Sequence, residues 1–413
     1  MYYYINNMYK IFNNALMLKH IKIHESVNTC RVPNFYGAFS LCKNLQNLNI
    51  TNMQTDRSAS FVMTFSSANN IQSLDLSKWD VSQSKQFRNM FTGCQSLKTL
   101  NISTWNVSRS KNFFAMFMNC RQLQEIDTSH WNLTNATNCD SMFYYCYNLK
   151  SLDVSQWNMS NITSLNYMFA QCQNLKSLDL SNWNIKNLKN LANAFLDCSS
   201  LIDLNIATWN IQVNNLYRTF YGCGMPTLNL ENWNTNDVYS FYQAFAFSGL
   251  TTLNIPNWII RGNCANMFYS CQSLKNINLS NWNILETTFG NMFYNCINLT
   301  DIDVTNWNMT SQSYTEFNNM FGKCRNLVNI DPSKWNVSKS KNFLSMFEGC
   351  NNLSQASIIN IAKMFINADN TSAWKNLNNK WFDSPFCYTN IQLNATTIGQ
   401  DLVDQLLAKG WEL

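Results

Sequence analysis

The cysteines are the residues of this sequence best able to do chemistry, and most of them form one regular row. Their thiols could form disulfides, since neighbouring copies of a stacked repeat lie near bridging distance. The sequence has no Cys-x-x-Cys motif and only three histidines, so zinc binding lacks support. The cysteines accompany Phe and Met on an apolar face, so we expect free, buried thiols. The row is Cys42, Cys94, Cys120, Cys146, Cys172, Cys198, Cys223, Cys271, Cys296, Cys324 and Cys350.

A second row consists only of Asn and Asp, between two inward-facing residues of each copy. Side chains there point outward from a strand, which predicts an exposed face rich in hydrogen-bonding groups. Stacked amides could stabilise this face as a ladder, or its members could contact a ligand, and we weigh the two roles equally. The row is Asn49, Asp75, Asn101, Asp127, Asp153, Asp179, Asn205, Asn229, Asn254, Asn278, Asp303 and Asp331.

Charged residues of both signs flank the Asn/Asp row. Consecutive carboxylates repel one another slightly, so Asp is a mild liability where Asn would serve, and a ligand contact would explain it. We therefore predict a partner-binding set on this face. Its members are Glu125, Asp127, Asp153, Asp179, Asp203, Asp301, Asp303, Lys150 and Lys176.

Catalysis finds no support in the sequence. His20, His24 and His130 are isolated from any Ser or Cys nucleophile motif, and a glycine-rich phosphate loop is absent. Paired carboxylates such as Asp301 and Asp303 would lie on an open sheet face with no pocket to shift their pKa values. We therefore expect a protein that is not an enzyme and has no metal or cofactor site.

The elements that position these rows alternate along the chain. Leu97-x-x-Leu100-x-Ile102 ends in a period of two, which predicts a short strand with its apolar residues inward. Phe87, Met90, Phe91 and Cys94 follow the spacing i, i+3, i+4, i+7, which predicts one face of a short helix or helical turn.

This unit recurs with a period of roughly 25 residues, which indicates a solenoid. The predicted fold is an α/β repeat solenoid of the leucine-rich-repeat type. It has parallel short strands on one face, short helices or turns on the other, and about 13 to 14 copies. The copies begin near Leu18, Leu45, Ile71, Leu97, Leu123, Leu149, Leu175, Leu201, Met225, Leu250, Leu274, Leu299, Leu327 and Leu353.

A tryptophan row follows the strands. An aromatic strip could bind sugars or peptides, but each Trp lies three residues after the last inward strand residue, where the chain turns back over the core. We therefore place the row in the core, because a Trp in every copy buries a large area. The row is Trp79, Trp105, Trp131, Trp157, Trp183, Trp209, Trp233, Trp258, Trp282, Trp307 and Trp335.

The two ends depart from the repeat. We expect an N-terminal segment with a degenerate copy at 1–44, the solenoid at 45–356 and a C-terminal cap at 357–413. The cap should carry one amphipathic helix with Thr397 as its N-cap and Gly410 just after its end. A cap is expected because a solenoid must cover its last open edge.

Composition limits the partners. Charged residues make up 13% of the chain and the net charge is +5, without a polybasic run, which argues against nucleic acid or an anionic membrane. No stretch is long and apolar enough for a membrane span. A signal peptide and a wall anchor are likewise not visible.

The sequence resembles the BspA-type leucine-rich-repeat surface proteins, in the variety with a repeat of about 25 residues. The motifs that carry the resemblance are Leu-x-x-Leu-Asp-Leu-Ser-x-Trp-Asn, at 175–184, and Met-Phe-x-x-Cys-x-x-Leu, at 116–123. It covers about Leu45 to Leu353. The resemblance implies display on the cell surface and binding of host or neighbouring-cell proteins, without catalysis.

The function that we favour is an adhesin-like scaffold for a protein or glycoconjugate ligand, because solenoids offer extended binding surface. The alternative is an intracellular or phage-associated interaction scaffold using the same surface.

Overall fold

The structure is a computed structural model of the 413-residue chain. It describes residues 3–4, 7–24, 27–28, 32–51, 53–309, 316–338, 340, 342–367, 385–386 and 391–413. These residues form two compact units, unit 1 at Met1–Ile211 and unit 2 at Gln212–Leu413. We call one turn of the solenoid a coil, to separate it from the four-residue β-turns within it.

Unit 1 is built from short parallel strands. They are β1 (Tyr3–Tyr4), β2 (His20–Lys22), β3 (Val27–Asn28), β4 (Asn47–Asn49), β5 (Ser73–Asp75), β6 (Thr99–Asn101), β7 (Ser177–Asp179) and β8 (Asp203–Asn205). The pairs are β1–β3, β2–β4, β5–β6 and β7–β8. Leu74 pairs with Leu100 and Asp75 with Asn101, so equivalent positions of successive coils lie side by side as the repeat predicts.

Unit 2 has two parallel sheets. The strands are β9 (Thr252–Asn254), β10 (Ile259–Asn263), β11 (Asn276–Asn278), β12 (Asn283–Thr288), β13 (Asp301–Asp303), β14 (Asn308–Met309) and β15 (Asn329–Ile330). The order is β9–β11–β13–β15 in one sheet and β10–β12–β14 in the other. The strands of the second sheet begin directly after Trp258, Trp282 and Trp307, where the sequence had predicted only a turn.

The second half of each coil is made of β-turns, the alternative to short helices that the sequence left open. Met90 N donates to Phe87 O at 3.1 Å and Cys94 N donates to Phe91 O at 3.0 Å. Asn89 and Gly93 have φ values of 55° and 76°. A positive φ at the third residue is the mark of a type II turn and is incompatible with an α-helix. Two consecutive four-residue turns place apolar residues at the same spacing as a helix does, so the sequence pattern fits both.

The core is a set of aromatic and thiol stacks. The indole Nε1 of Trp105 donates to Leu76 O at 3.0 Å, and that of Trp183 donates to Val154 O at 3.0 Å. Every member of the Trp row is at most 5% exposed, which confirms that the row is core. Phe91 stacks on Phe117 at 5.5 Å with an interplanar angle of 4°.

Each unit is a parallel-strand β-solenoid, and the described residues contain about 11 coils and few helices. The Leu register had predicted about 13 to 14 copies and counted the degenerate ends. The Trp row has one member in each of the regular copies only, and the outermost copies lack it.

The described residues at the C-terminal end of unit 2 contain three helices, whereas the sequence predicted one. The sequence missed α1 (Gln355–Ile366), whose N-cap Ser354 accepts a bond from Ser357 N. The single helix predicted at 397–410 is instead α2 (Ala395–Ile398) and α3 (Gln400–Ala408), and Asn394 replaces Thr397 as the N-cap. Gly399 ends α2 because its φ of 86° leaves the helical region. Gly410, with a φ of 76°, follows α3 as predicted.

Candidate partner-binding surface

Unit 1 has an open groove of about 610 Å³ across four coils, and three of the predicted partner-binding residues, Glu125, Asp127 and Asp153, line it. We call the exposed strand side of unit 1, from the coil of Asp75 to the coil of Asp203, the strand face, and the groove is part of it. Its acidic side chains include Asp75, Glu125, Asp127 and Asp153, and Ser and Thr residues separate them. In the coils that contain Glu125 and Asp153 these residues keep the same register but are not assigned to strands. The walls are low and the groove is open, so it suits an extended partner better than a small molecule.

The remaining predicted residues fall into two groups. Asp179, Asp203, Lys150 and Lys176 are exposed in unit 1, on this or the neighbouring coils. Lys150 Nζ donates to Gln124 Oε1 at 3.0 Å, one coil earlier. Asp301 and Asp303 lie on β13 of unit 2. The structure therefore brings seven of the nine predicted residues into one unit.

The Asn/Asp row has a structural role that the sequence analysis missed. Asp127 Oδ1 accepts bonds from Ser129 N at 3.2 Å and Ser129 Oγ at 2.8 Å. Three other carboxylates accept the backbone N–H of the residue two positions later through their own Oδ1 atoms. The distances are 3.0 Å for Asp153, 3.0 Å for Asp179 and 3.1 Å for Asp303. This is an Asx turn, in which the side chain caps the end of the strand. The Ser or Thr two residues after each Asp was the visible signal for it.

The expected amide ladder is sparse by comparison. Asn278 Nδ2 donates to Asn254 Oδ1 at 2.8 Å in unit 2. Asn329 Nδ2 donates to Asp301 Oδ1 at 2.6 Å, in the neighbouring row. The hydrogen bonds of the Asx turn form within one coil, and they recur more often along the row than the amide ladder bonds do. The Asx turn also gives Asp a local advantage, because a carboxylate is a stronger acceptor than an amide oxygen.

The Asx turns lower the pKa values of three carboxylates of the row, Asp75, Asp127 and Asp179. The Ser129 hydroxyl and backbone N–H lower the pKa of Asp127, and Ser181 lowers the pKa of Asp179 in the same way. Ser77 lowers the pKa of Asp75, with smaller contributions from Asn101 and Lys78. Hydrogen bonding to the charged form is the cause in each case. The strand face therefore presents fixed negative charge at neutral pH.

Among the described residues, the thiols lie in the core and are not grouped with other titratable side chains at a reaction centre. The thirteen cysteines in the described part of the chain are all free and buried. Cys120 Sγ donates to Phe91 O at 3.2 Å, and Cys146 Sγ donates to Phe117 O at 3.1 Å. Among the described residues, no cluster of three or more His, Cys, Asp or Glu could hold a metal ion.

The molecule is thus a repeat protein of the leucine-rich-repeat-like solenoid class. Family comparison goes one step further. The chain belongs to the family described as "Mycoplasma protein of unknown function, DUF285", whose pattern matches residues 6–125, 61–153, 147–258 and 262–383. A search of curated proteins finds no match.

Several solved structures are similar in part. A leucine-rich-repeat protein from Bacteroides ovatus shares 18% identity, with 85% of this chain and 80% of that one covered and a TM-score of 0.48. A leucine-rich-repeat protein from Leptospira interrogans shares 14%, with 70% and 77% covered and a TM-score of 0.24. An internalin from Listeria monocytogenes also shares 14%, with 86% and 82% covered and a TM-score of 0.23. No helix within the described ranges is long and apolar enough to cross a bilayer.

Proposed function

We propose that this protein is a non-catalytic scaffold that binds another protein through the strand face of unit 1. The observation that carries the proposal is the open groove across four coils, lined by exposed hydroxyl and carboxylate groups. Preformed, repeated surfaces of this kind suit long contacts with a macromolecule. The side chains are held by their own Asx turns, so less conformational entropy is lost when a partner binds.

The finer proposal is that the chain is a BspA-type surface protein that recognises host or neighbouring-cell proteins or glycoconjugates. It rests on the Trp-containing strand motif and the Met-Phe-x-x-Cys motif. The second candidate is an intracellular or phage-associated scaffold that uses the same face. The division into 1–44, 45–356 and 357–413 belongs to this proposal, and 368–384 and 387–390 lie outside the described residues.

The strand face should prefer a partner with basic side chains. Asp75, Asp127 and Asp179 have lowered pKa values and stay charged at neutral pH. Lys150 and Lys176 border the acidic row, so the partner must also place acidic or neutral groups beside its basic ones. Such complementarity raises the association rate and selects the register.

The test is the combined change Asp127→Asn, Asp153→Asn and Asp179→Asn. Asn preserves the size and accepts the same backbone bond, so folding should be intact. Immobilised protein would be used to capture cell-surface proteins, and affinity for the captured partner would then be measured at several salt concentrations. Each lost charge-assisted contact should weaken binding by about 1.5 to 3 kcal/mol.

A matched control is Asp80→Asn. Asp80 Oδ1 accepts Ser82 N at 2.8 Å, so it makes the same kind of turn, but it lies after the Trp row and off the strand face. It should leave binding unchanged. A partner whose affinity and salt dependence survive the combined change would refute a role for the strand face.

A further inference from the structure

Unit 2 carries a row of aromatic side chains outside its core. We call it the outer aromatic row: Tyr221, Phe247, Tyr269 and Tyr294. The ring centroids of consecutive members are 5.2, 5.4 and 5.3 Å apart. A separate stack of Phe220, Phe245, Phe268 and Phe293 forms the core of the same coils and is at most 1% exposed. The outer aromatic row is therefore an addition to the repeat and does not form its core.

Phe247 is the residue of this row that folding explains least. Its side chain is 47% exposed and its φ is 58°. A bulky residue with positive φ is strained, and the exposed half of the ring gains no stabilisation from burial. The equivalent positions of other coils in unit 2 also have positive φ but carry no large apolar side chain: they are Gly222, Ser270, Asn295, Lys323 and Gly349.

The main chain at Phe247 does not need the aromatic ring. Its backbone N–H donates to Tyr269 O at 2.8 Å, one coil further on, and this bond is independent of the side chain. The ring packs against Tyr221 and Tyr269 but stays about half exposed, so its packing does little to offset the backbone strain, and strain of this kind points to function. Phe247 should therefore be retained for what its ring contacts outside the chain.

Cations flank the outer aromatic row at both ends. The Arg218 guanidinium lies 5.3 Å from the centroid of Tyr217 and 5.5 Å from that of Tyr221. Lys323 Nζ lies 5.0 Å from the centroid of Tyr294. Tyrosine and arginine in a partly buried patch are the residues that contribute most to protein–protein interfaces. A partner for this surface should carry an acidic group near its apolar contact.

The arrangement of the rings favours a polypeptide over a sugar. Tyr269 and Tyr294 stack with an interplanar angle of 15°, so each ring covers a face of the other. A sugar stacks on an open aromatic face, whereas proline and aromatic side chains also pack against ring edges. Phe247 is tilted by 56° to Tyr221 and 55° to Tyr269, which interrupts the stack at its most exposed member.

We propose that the outer aromatic row of unit 2 is a second binding surface, distinct from the strand face. Its occupant is a polypeptide segment that places a proline or aromatic side chain against Phe247 and an acidic residue near Arg218. The proposal does not depend on the strand face, because it concerns other residues in the other unit.

The test uses Phe247→Asn, with Leu41→Asn as the matched control. Leu41 has a φ of 60° and is 37% exposed, so it shares the strained, exposed position but lies in unit 1. Phage-displayed random peptides would be selected on the unaltered protein and then measured against both variants. We expect enriched peptides with proline or aromatic residues beside an acid. Phe247→Asn should weaken their binding about tenfold or more, and Leu41→Asn should leave it unchanged.

Thermal melting separates binding from folding. Phe247→Asn should raise the melting temperature by about 1 to 3 °C, because the relief of backbone strain should exceed the loss of ring packing against Tyr221 and Tyr269. Phe247→Gly repeats the test with the residue that is found at the equivalent Gly222. A fall in melting temperature for both variants would make Phe247 a folding residue and overturn the proposal.

Binding results can also overturn it. Peptides that bind the unaltered protein and Phe247→Asn equally well would exclude the row, as would a selection that enriches no peptide. Glycans on a printed array provide the competing arm. Glycan binding that is lost in Phe247→Asn, without any peptide binding, would replace the polypeptide with a sugar. The combined Asp→Asn variant of the strand face should bind the selected peptides normally.

Discussion

The cysteine thiols of this protein, although chemically reactive groups, serve to pack its core. Cys120 and Cys146 are fully buried, and each donates its S–H to a Phe carbonyl one coil earlier. Burial raises the pKa of the Cys94 and Cys146 thiols to about 12. A protonated, inaccessible thiol is a poor nucleophile and a poor metal ligand.

Thiol labelling tests this assignment. We expect Cys120, Cys146 and Cys172 to react with a thiol reagent only after the protein is unfolded, since both access and the thiolate are missing in the folded state. Mass analysis of the unreduced protein should show free thiols. A disulfide that joins Cys146 to Cys120 or Cys172 would show the prediction to be wrong and indicate an oxidising compartment.

Trp157 is the clearest single contributor to stability. It is 1% exposed, its Nε1 donates to Thr128 O at 3.1 Å, and it stacks on Trp131 and Trp183 at 6.1 and 6.0 Å. Trp157→Ala should lower the free energy of unfolding by about 3 to 5 kcal/mol, because it leaves a large cavity in the core. Urea unfolding measures the change. Trp157→Phe should cost less, and equal losses for both would contradict the cavity argument.

Residue spacing predicted the rows well, since a constant repeat length places equivalent residues side by side. It identified the Trp and Cys rows as core and the Asn/Asp row as exposed. It did not identify the Asx turn at Asp127. That hydrogen bond joins residues two apart in the same coil, so the alignment of repeats does not reveal it. The outer aromatic row was missed for a related reason, since Tyr221, Phe247 and Tyr269 do not occupy one constant position.

The sequence predicted the order of the strands and turns along the chain better than it predicted their type. The spacing of Phe87, Met90 and Phe91 fits a helix and two β-turns equally. The choice depends on φ at Asn89 and Gly93, where the other coils carry residues as different as Ala115 and Tyr145. Backbone hydrogen bonds between neighbouring coils favour these φ values. The spacing of residues within one coil carries no information about those bonds. For the same reason β10 and β12 were not foreseen.

Gly262 in β10 gives a test at this scale. Its φ is 72°, and a Cβ added there would overlap the carbonyl oxygen of Tyr239. The register between β10 and β12 shifts at this point. Gly262→Ala should destabilise unit 2 by more than about 1 kcal/mol, through both strain and the forced separation of the two segments.

Chemical denaturation and hydrogen exchange would measure this effect. Gly399→Ala is a useful comparison, because its φ of 86° imposes strain although no atom lies within 4 Å of an added Cβ. It should cost less than Gly262→Ala. If Gly262→Ala is as stable as the unaltered protein, the close approach to Tyr239 is not a constraint.

At the scale of the whole molecule, the buried thiols should make stability fall in alkaline solution. An unfolded cysteine ionises near pH 8.5, whereas folded Cys94 and Cys146 remain protonated up to a pKa of about 12. The unfolded state thus binds fewer protons, and stability is lost as pH rises above the unfolded pKa. Each such thiol should remove about 1.4 kcal/mol per pH unit between these limits.

The measurement is the urea midpoint from neutral pH up to about pH 10, where the unfolded thiols ionise. Other groups also titrate there, so a variant with Cys94→Ala and Cys146→Ala isolates the thiol contribution. It should show a shallower decline with pH than the unaltered protein. Identical slopes would mean that these thiols are accessible to ionisation in the folded state.

The coils also have a direction. Phe87, Asn89, Phe91 and Gly93 donate their backbone N–H groups to Asn112, Phe114, Met116 and Met118, each in the coil made next, at 2.8 to 2.9 Å. A ribosome extending this chain would therefore leave each finished coil with donors that face the incoming residues. These backbone bonds join adjacent coils, so folding can keep pace with synthesis. Nascent chains stalled after successive coils should resist protease up to the last complete one, and a chain that becomes resistant only at full length would contradict this order of assembly.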